Sequence, residues 1–295
     1  MMASMIASDT LPLTAPHRPV AEPRQNRLLA ALPDADWHRW QTQLEPVDLA
    51  FGEVLNESGS TPGHVYFPTT AVVSLLYMTE NGGSSEIAVV GNDGVVGISL
   101  FMGGTATPGR SVVQSAGLGF RLRAQTVRDE VGRAGPVLHL FLRYTQALIA
   151  QVAQTAACNR HHSIEQLLCR RLLLGLDLLP SDELAMTQDL LANLLGVRRE
   201  GITAAALKLQ EAGVIRYRRG RIAVLDRPRL ERRSCECYAA VRNEYDRLLP
   251  MSMPTPPRRL SAVVPIASPR PQPAPRLSSS RPPSACLAAC SLAPF

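Results

Sequence analysis

Arg198, Arg199 and Glu200 stand together at the start of an apolar-periodic segment, and Thr203 and Lys208 take later polar positions of the same segment. Arginine suits a guanine edge or a phosphate, and a carboxylate accepts from the N4 amine of cytosine, so this set has the chemistry to read base edges. A second group, Arg218, Arg219 and Arg221, surrounds Gly220. From Gly196 to Arg233, eleven basic residues face four acidic ones. Cation gathered at a helix start and a loop tip lies where a phosphate backbone would run. The pattern points to double-stranded DNA as the partner.

Those side chains need elements to aim them. Residues 188–207, QDLLANLLGVRREGITAAAL, contain two short apolar-periodic segments that meet at Gly196. Leu191, Leu194 and Leu195 fall at helical spacing before it, and Val197, Ile202, Ala205 and Leu209 after it. Ala192 lets two helices approach closely, and the glycine accepts the positive φ of a tight bend. The expected element is a helix-turn-helix whose second helix enters the major groove. Residues 214–217 and 222–225 are β-rich runs on either side of the arginine-rich turn, and read as a hairpin, a wing beside the helices.

At 295 residues with 45% hydrophobic content, the chain has material for more than one core, and two domains are the expectation. The net charge of +6 is local: the stretch from Pro250 onward carries five arginines and no acid. No stretch approaches the length of a membrane span, and the N-terminus lacks a basic region followed by an apolar run. A cytoplasmic protein without membrane contact is therefore expected. None of the six cysteines lies in the first 157 residues. Cys235-x-Cys237 is tighter than the usual CxxC knuckle, and Cys158 and Cys169 sit in apolar helical patterns. Structural thiols, with no metal and no cofactor, are the expectation. His161 and His162, at the junction into the basic domain, read as exposed helix-start residues. There is no Gly-x-Ser-x-Gly, phosphate-binding loop or HExxH pair, which argues against an enzyme.

Residues 1–25 hold Pro12, Pro16, Pro19 and Pro23 among small residues and are expected to be disordered. Short helices are expected over 25–32, closed by Pro33, and from Asp34. Thirteen of the twenty glycines fall between Phe51 and Phe120 and separate β-rich runs at 65–67, 71–78, 85–90, 94–101, 110–115 and 119–122. Such spacing indicates a sandwich or barrel, here over residues 26–135. A long helix follows over 136–160, where Val137, Phe141, Tyr144, Leu148 and Val152 recur at helical spacing, with Leu140, Ile149 and Ala156 beside them. With no helical neighbour in view, pairing with its own copy is its simplest use, and packing on the barrel is compatible with that. Ser163 and Gln166 form a capping-box pattern at the head of the next helix. The DNA-binding unit is expected over 161–235, a C-terminal helix over 236–249 and a disordered Pro/Arg-rich tail over 250–295.

A β-roll, a long dimerisation-type helix and a winged helix-turn-helix together resemble the Crp/Fnr family of bacterial transcription regulators over roughly residues 45–235. The resemblance is strongest over 186–224, MTQDLLANLLGVRREGITAAALKLQEAGVIRYRRGRIAV. It implies an α+β fold with an N-terminal β-roll of double-stranded β-helix or jelly-roll type. It also implies a homodimer reading a pseudo-palindromic site with residues 198–211, and RNA polymerase as a protein partner. Thr187 or Gln188 would cap the first helix and touch a phosphate, and Arg199 and Glu200 would take the base-reading positions. Family members often place another base-reading arginine one turn after the glutamate; here Ala204 stands there, preceded by Thr203, so the site read should differ.

In cyclic-nucleotide-binding members, Gly-Glu-x-Gly-Leu-Phe followed by Arg-Ser grips the sugar and cyclic phosphate. The parallel run here is VGISLF at 96–101, then Arg110-Ser111 after a longer loop. The ribose-binding glutamate is missing, with Gly97 or Ile98 in its place, which argues against cyclic AMP. The candidate pocket for an unknown small-molecule effector is thus Gly97, Ser99, Arg110 and Ser111. The alternative is a ligand-less β-roll serving as a structural or adaptor protein with only nonspecific DNA affinity.

Overall fold

The computed structural model describes residues 22–249 apart from 81, 105 and 180. The disorder expected before residue 22 and in the tail from 250 concerns residues outside that description. Pro23–Gln25, at the end of the segment expected to be disordered, form a 3-10 turn. Helix α1 (Arg27–Ala30) follows, shorter than the 25–32 expected, because Asn26 caps it. The Asn26 amide is fully buried and fully used. Its Oδ1 accepts from the backbone of Leu28 and Leu29, and its Nδ2 donates to Pro68 O at 2.9 Å and Gly94 O at 2.8 Å.

After α2 (Asp34–Trp40) come seven strands: β1 (Glu45–Leu49), β2 (Val54–Asn56), β3 (His64–Pro68), β4 (Val72–Met78), β5 (Ser84–Val90), β6 (Arg110–Ser115) and β7 (Gly117–Arg123). They form two antiparallel sheets in the orders β1-β7-β3 and β2-β6-β4-β5. Leu49 of one sheet and Val73, Val90 and Val113 of the other share one buried cluster, which is the interior of the roll. The expected strand at 94–101 is a correction. Only Val96 bridges to Tyr66, because Gly97 turns the chain at φ +104 into a 3-10 turn at Ile98–Leu100. The short edge strands β1 and β2 were not anticipated.

Helix α3 (Ala124–Gly132) leads to the long α4 (Pro136–His161). Val137, Phe141, Tyr144 and Leu148 are buried, so the most regular apolar stripe faces the core rather than a second copy. Trp40 packs with Phe67 and Phe141, and Phe101 with Phe141 at a centroid distance of 4.6 Å, in one aromatic group. Next come α5 (Ile164–Asp177), β8 (Glu183–Ala185), α6 (Gln188–Leu195), α7 (Arg199–Glu211), the hairpin β9 (Ile215–Arg218) and β10 (Arg221–Val224), α8 (Arg227–Arg233) and α9 (Glu236–Leu248). The Ser163–Gln166 capping box at the head of α5 forms as expected.

The expectation that α4 lacks a helical neighbour is also corrected: α9 lies along it, with the rings of Tyr144 and Tyr245 edge-on at 6.5 Å. Asp177, Arg227 and Tyr238 join α5, α8 and α9, Tyr238 donating to Asp177 Oδ2 at 2.8 Å. Among the described residues, no helix is long and apolar enough to cross a membrane.

Candidate functional site

Helix α6 starts at Thr187, whose Oγ1 accepts from the Leu190 N–H at 3.1 Å. Leu191, Ala192, Leu194 and Leu195 are buried, and Gly196 closes the helix at φ +63. The Val197 N–H then reaches back to Ala192 O at 3.0 Å, the long-range bond of a Schellman closure. Helix α7 buries Ile202, Ala205, Ala206 and Leu209. That leaves Arg199, Glu200, Thr203, Ala204 and Lys208 on the exposed face. A Cβ at Gly196 would meet only Ser85 at ordinary contact distance, so the cost of Gly196→Ala is conformational. It is expected to lower stability by about 1–2 kcal/mol, the penalty of left-handed backbone in an L-residue, read as a lower urea midpoint with an unchanged slope.

Thr187, Gln188, Arg199 and Arg219 line one open cleft of about 370 Å³ between the starts of α6 and α7 and the wing tip. Asp189, Tyr217 and Gly220 complete its walls. Thr203 joins this group by donating to Gln188 Oε1 at 2.8 Å. Arg198, Glu200, Lys208, Arg218 and Arg221 lie outside the cleft lining. Arg199 Nε sits 3.3 Å from Asp189 Oδ1, both exposed, a pair weak enough to open when a stronger anion arrives. At the wing tip Arg219 (φ +51) and Gly220 (φ +75) form a two-residue turn with both residues left-handed, the type I′ arrangement that matches strand twist. Tyr217 fastens the wing to the helices: its hydroxyl donates to Met186 O at 2.9 Å and its N–H to Gln210 Oε1 at 2.6 Å. Neither Tyr217 nor Asp189 was signalled by the sequence, since their parts depend on tertiary placement.

The roll holds a second cavity, of about 410 Å³, and Gly97, Ser99, Arg110 and Ser111 all line it. Its walls are otherwise largely apolar, with Leu75 and Ile87 from the sheet and Leu148, Ile149 and Val152 from α4. Arg110 Nη2 donates to Glu57 Oε1 at 3.1 Å, while Arg110 Nε and the Ser99 hydroxyl are buried without a partner. The result is a largely apolar chamber with a few polar groups in its wall, Ser99 and Arg110 among them.

The cysteines, expected as structural thiols, are free and buried at all four described positions, but they do not share one environment. Cys169 lies on α5 outside the cluster formed by the other three, and burial pushes its thiol up to about 12. Cys158, Cys235 and Cys237 instead converge with His162, their ligand atoms all within 4.8 Å of one another. His162 is therefore not an exposed helix-start residue; it caps the end of α4 with its ring largely covered. The usable sequence signal was the Cys158-x-x-x-His162 spacing, one helical turn on a single face. Nothing local connects that pair to Cys235-x-Cys237.

Residues 166–233 match the model of a Crp-like helix-turn-helix domain. No curated protein matches the chain in sequence. Among solved structures the chain is similar to FixK2 of Bradyrhizobium japonicum, with a TM-score of 0.56 at 15% identity, over 65% of this chain and 98% of that one. It is also similar to a CRP-family transcriptional regulator of Thermus thermophilus, with a TM-score of 0.54 at 18% identity, over 64% of this chain and 96% of that one. A CRP/FNR-family regulator of the same organism gives a TM-score of 0.52 at 21% identity, over 64% and 97%.

Proposed function

From a chain that has the fold of Crp/Fnr-type transcription regulators and carries their helix-turn-helix DNA-binding domain, we propose a homodimer that reads a pseudo-palindromic DNA site. The observation that carries this reading is the exposed polar face of α7, set beside an open cleft and a cationic wing. In it Arg199 and Glu200 face base edges, with Arg198, Thr203 and Lys208 beside them. Thr187, Gln188, Arg218, Arg219 and Arg221 hold phosphates. Two α7 helices in successive major grooves would lie roughly 34 Å apart. Such a regulator works in the cytoplasm, with RNA polymerase as the protein it acts upon.

The dimer reading rests on α4. Leu142, Gln146, Ile149, Ala153 and Ala156 recur at three- and four-residue spacing on its outer side and are all exposed. Leu142 and Ile149 keep 48% and 58% exposure, an apolar stripe that α9 leaves free and a second copy would cover. Ile149 also lines the sensor cavity, so a ligand there and the partner helix would share one side chain. The chamber's chemistry favours a mainly apolar effector with one polar or anionic end, held at Ser99 and Arg110, over a cyclic nucleotide. Such an effector acts only by binding one dimer arrangement better than another.

Selection of bound sequences from a random duplex pool by the full chain, without added effector, tests the reading. A two-fold-symmetric consensus is expected; enrichment of single, asymmetric sites would overturn the dimer. Glu200→Ala is expected to relax preference at one base pair per half-site, losing about 1–3 kcal/mol of discrimination while total affinity for random DNA holds. Competition binding against single-base operator variants checks it.

A further inference from the structure

Two pairs of metal-ligating side chains meet where the DNA-binding domain joins the rest of the chain. Cys158 and His162 lie on one face at the end of α4, and Cys235 and Cys237 at the start of α9. The three cysteines are buried. Cys158 Sγ is 3.4 Å from Cys235 Sγ, and Cys237 Sγ is 3.7 Å from His162 Nδ1. One zinc ion bound tetrahedrally, with Zn–S of about 2.3 Å and Zn–N of about 2.0 Å, sets its sulfurs about 3.8 Å apart and sulfur and nitrogen about 3.5 Å apart. The two spacings come within about 0.4 Å of a single ion's shell, and all four ligand atoms lie within 4.8 Å of one another. A bridged iron–sulfur cluster distributes its four protein ligands over two or more irons, and those on separate irons must be more widely spread.

The surroundings complete such a site. His162 turns Nδ1 to the sulfurs and Nε2 to Glu236, 3.3 Å from Oε1, the carboxylate–imidazole arrangement that fixes the ring of a metal-bound histidine. Buried Arg170, held by its bond to Thr155 Oγ1 at 2.9 Å, acts electrostatically on Cys158 and Cys237. Its charge would offset the single negative charge of three thiolates and a neutral imidazole on a divalent ion. We propose that Cys158, His162, Cys235 and Cys237 form a closed, structural zinc site. Helices α5 to α8 lie between the two ligand pairs in sequence, so the ion fastens together the two chain ends of the DNA-binding domain and fixes its hinge to α4.

The test is metal analysis of the full chain purified under reducing conditions, followed by chelation and titration with Co²⁺. About one zinc per chain is expected. The Co²⁺ form should show the intense visible ligand-field bands of a tetrahedral site with a sulfur-to-cobalt charge-transfer band. Cys169→Ser and the tail double variant Cys286→Ser/Cys290→Ser should keep the metal, whereas Cys158→Ser and Cys235→Ser should lose it. Glu236→Gln, a surface change that leaves every ligand in place, should weaken zinc about 10-fold or more. A wild-type chain with neither zinc nor a tetrahedral cobalt spectrum overturns the proposal. So does a Cys158–Cys235 disulfide in the freshly isolated protein, or undiminished metal in both ligand variants.

Discussion

Arg171→Ala is expected to lower the unfolding free energy by about 3–5 kcal/mol, a larger effect than removal of any surface ion pair in the chain. Arg171 on α5 and Glu86 on β5 keep side-chain exposures of 3% and 7%, with Nε 2.6 Å from Oε1. The guanidinium Nη2 donates to Glu86 Oε2 at 3.1 Å and also to Gln114 on β6. Ser74 on β4 donates to Glu86 Oε2 at 2.5 Å. Truncating the arginine leaves a carboxylate in the interior with one hydroxyl in place of its counter-ion, and that desolvated charge is what costs. Replacing both partners, as in Arg171→Met/Glu86→Leu, should recover most of the loss, because the burial of charge goes with the charge. Urea unfolding of both variants decides the point. A loss below about 1 kcal/mol for Arg171→Ala would mean that water reaches the pair. Because the pair joins the helix that precedes the helix-turn-helix to the sheet of the roll, it also anchors the helix-turn-helix domain against the β-roll.

The parts of this molecule that the sequence made legible are those governed by neighbours in the chain. Gly196, Ala192 and the leucine spacing act within a few residues of one another, and the bend formed where they placed it. The wing was readable from its β-rich runs and Gly220, although the left-handed Arg219 was not. At 94–101 the apolar content suggested a strand, and the positive φ of Gly97 overruled it. On α4 the stripe was visible but its partner was not: periodicity says that a face is covered and not by what. The core took Val137, Phe141 and Tyr144, leaving Ile149 and Ala156 outside. The Arg171–Glu86 pair and the four-ligand cluster join residues about 75–85 positions apart, and no local pattern carries that information.

The wing offers the second large effect, and one that separates binding from folding. Arg219 holds a left-handed backbone at φ +51, which costs a side-chain-bearing residue roughly 1–2 kcal/mol. Glycine relieves that strain and loses about 0.5–1 kcal/mol of it to backbone entropy, so Arg219→Gly should leave stability unchanged or slightly raised. Arg221 makes only a distant, exposed contact with Glu183, at 3.8 Å, so removing it costs the fold little. DNA binding should respond in the opposite way. If Arg218, Arg219 and Arg221 each neutralise a phosphate, the variant Arg218→Ala/Arg219→Gly/Arg221→Ala should flatten the plot of log affinity against log salt by about 5 across the two wings of a dimer. Affinity at about 0.15 M salt should fall at least about a hundredfold, for cognate and random duplexes alike. Fluorescence anisotropy over a salt series, run beside thermal melts, makes both readings on the same preparations. An unchanged slope would remove the wing from the phosphate contacts. A drop in Tm that tracks the lost affinity would show that these arginines support the hairpin rather than the DNA.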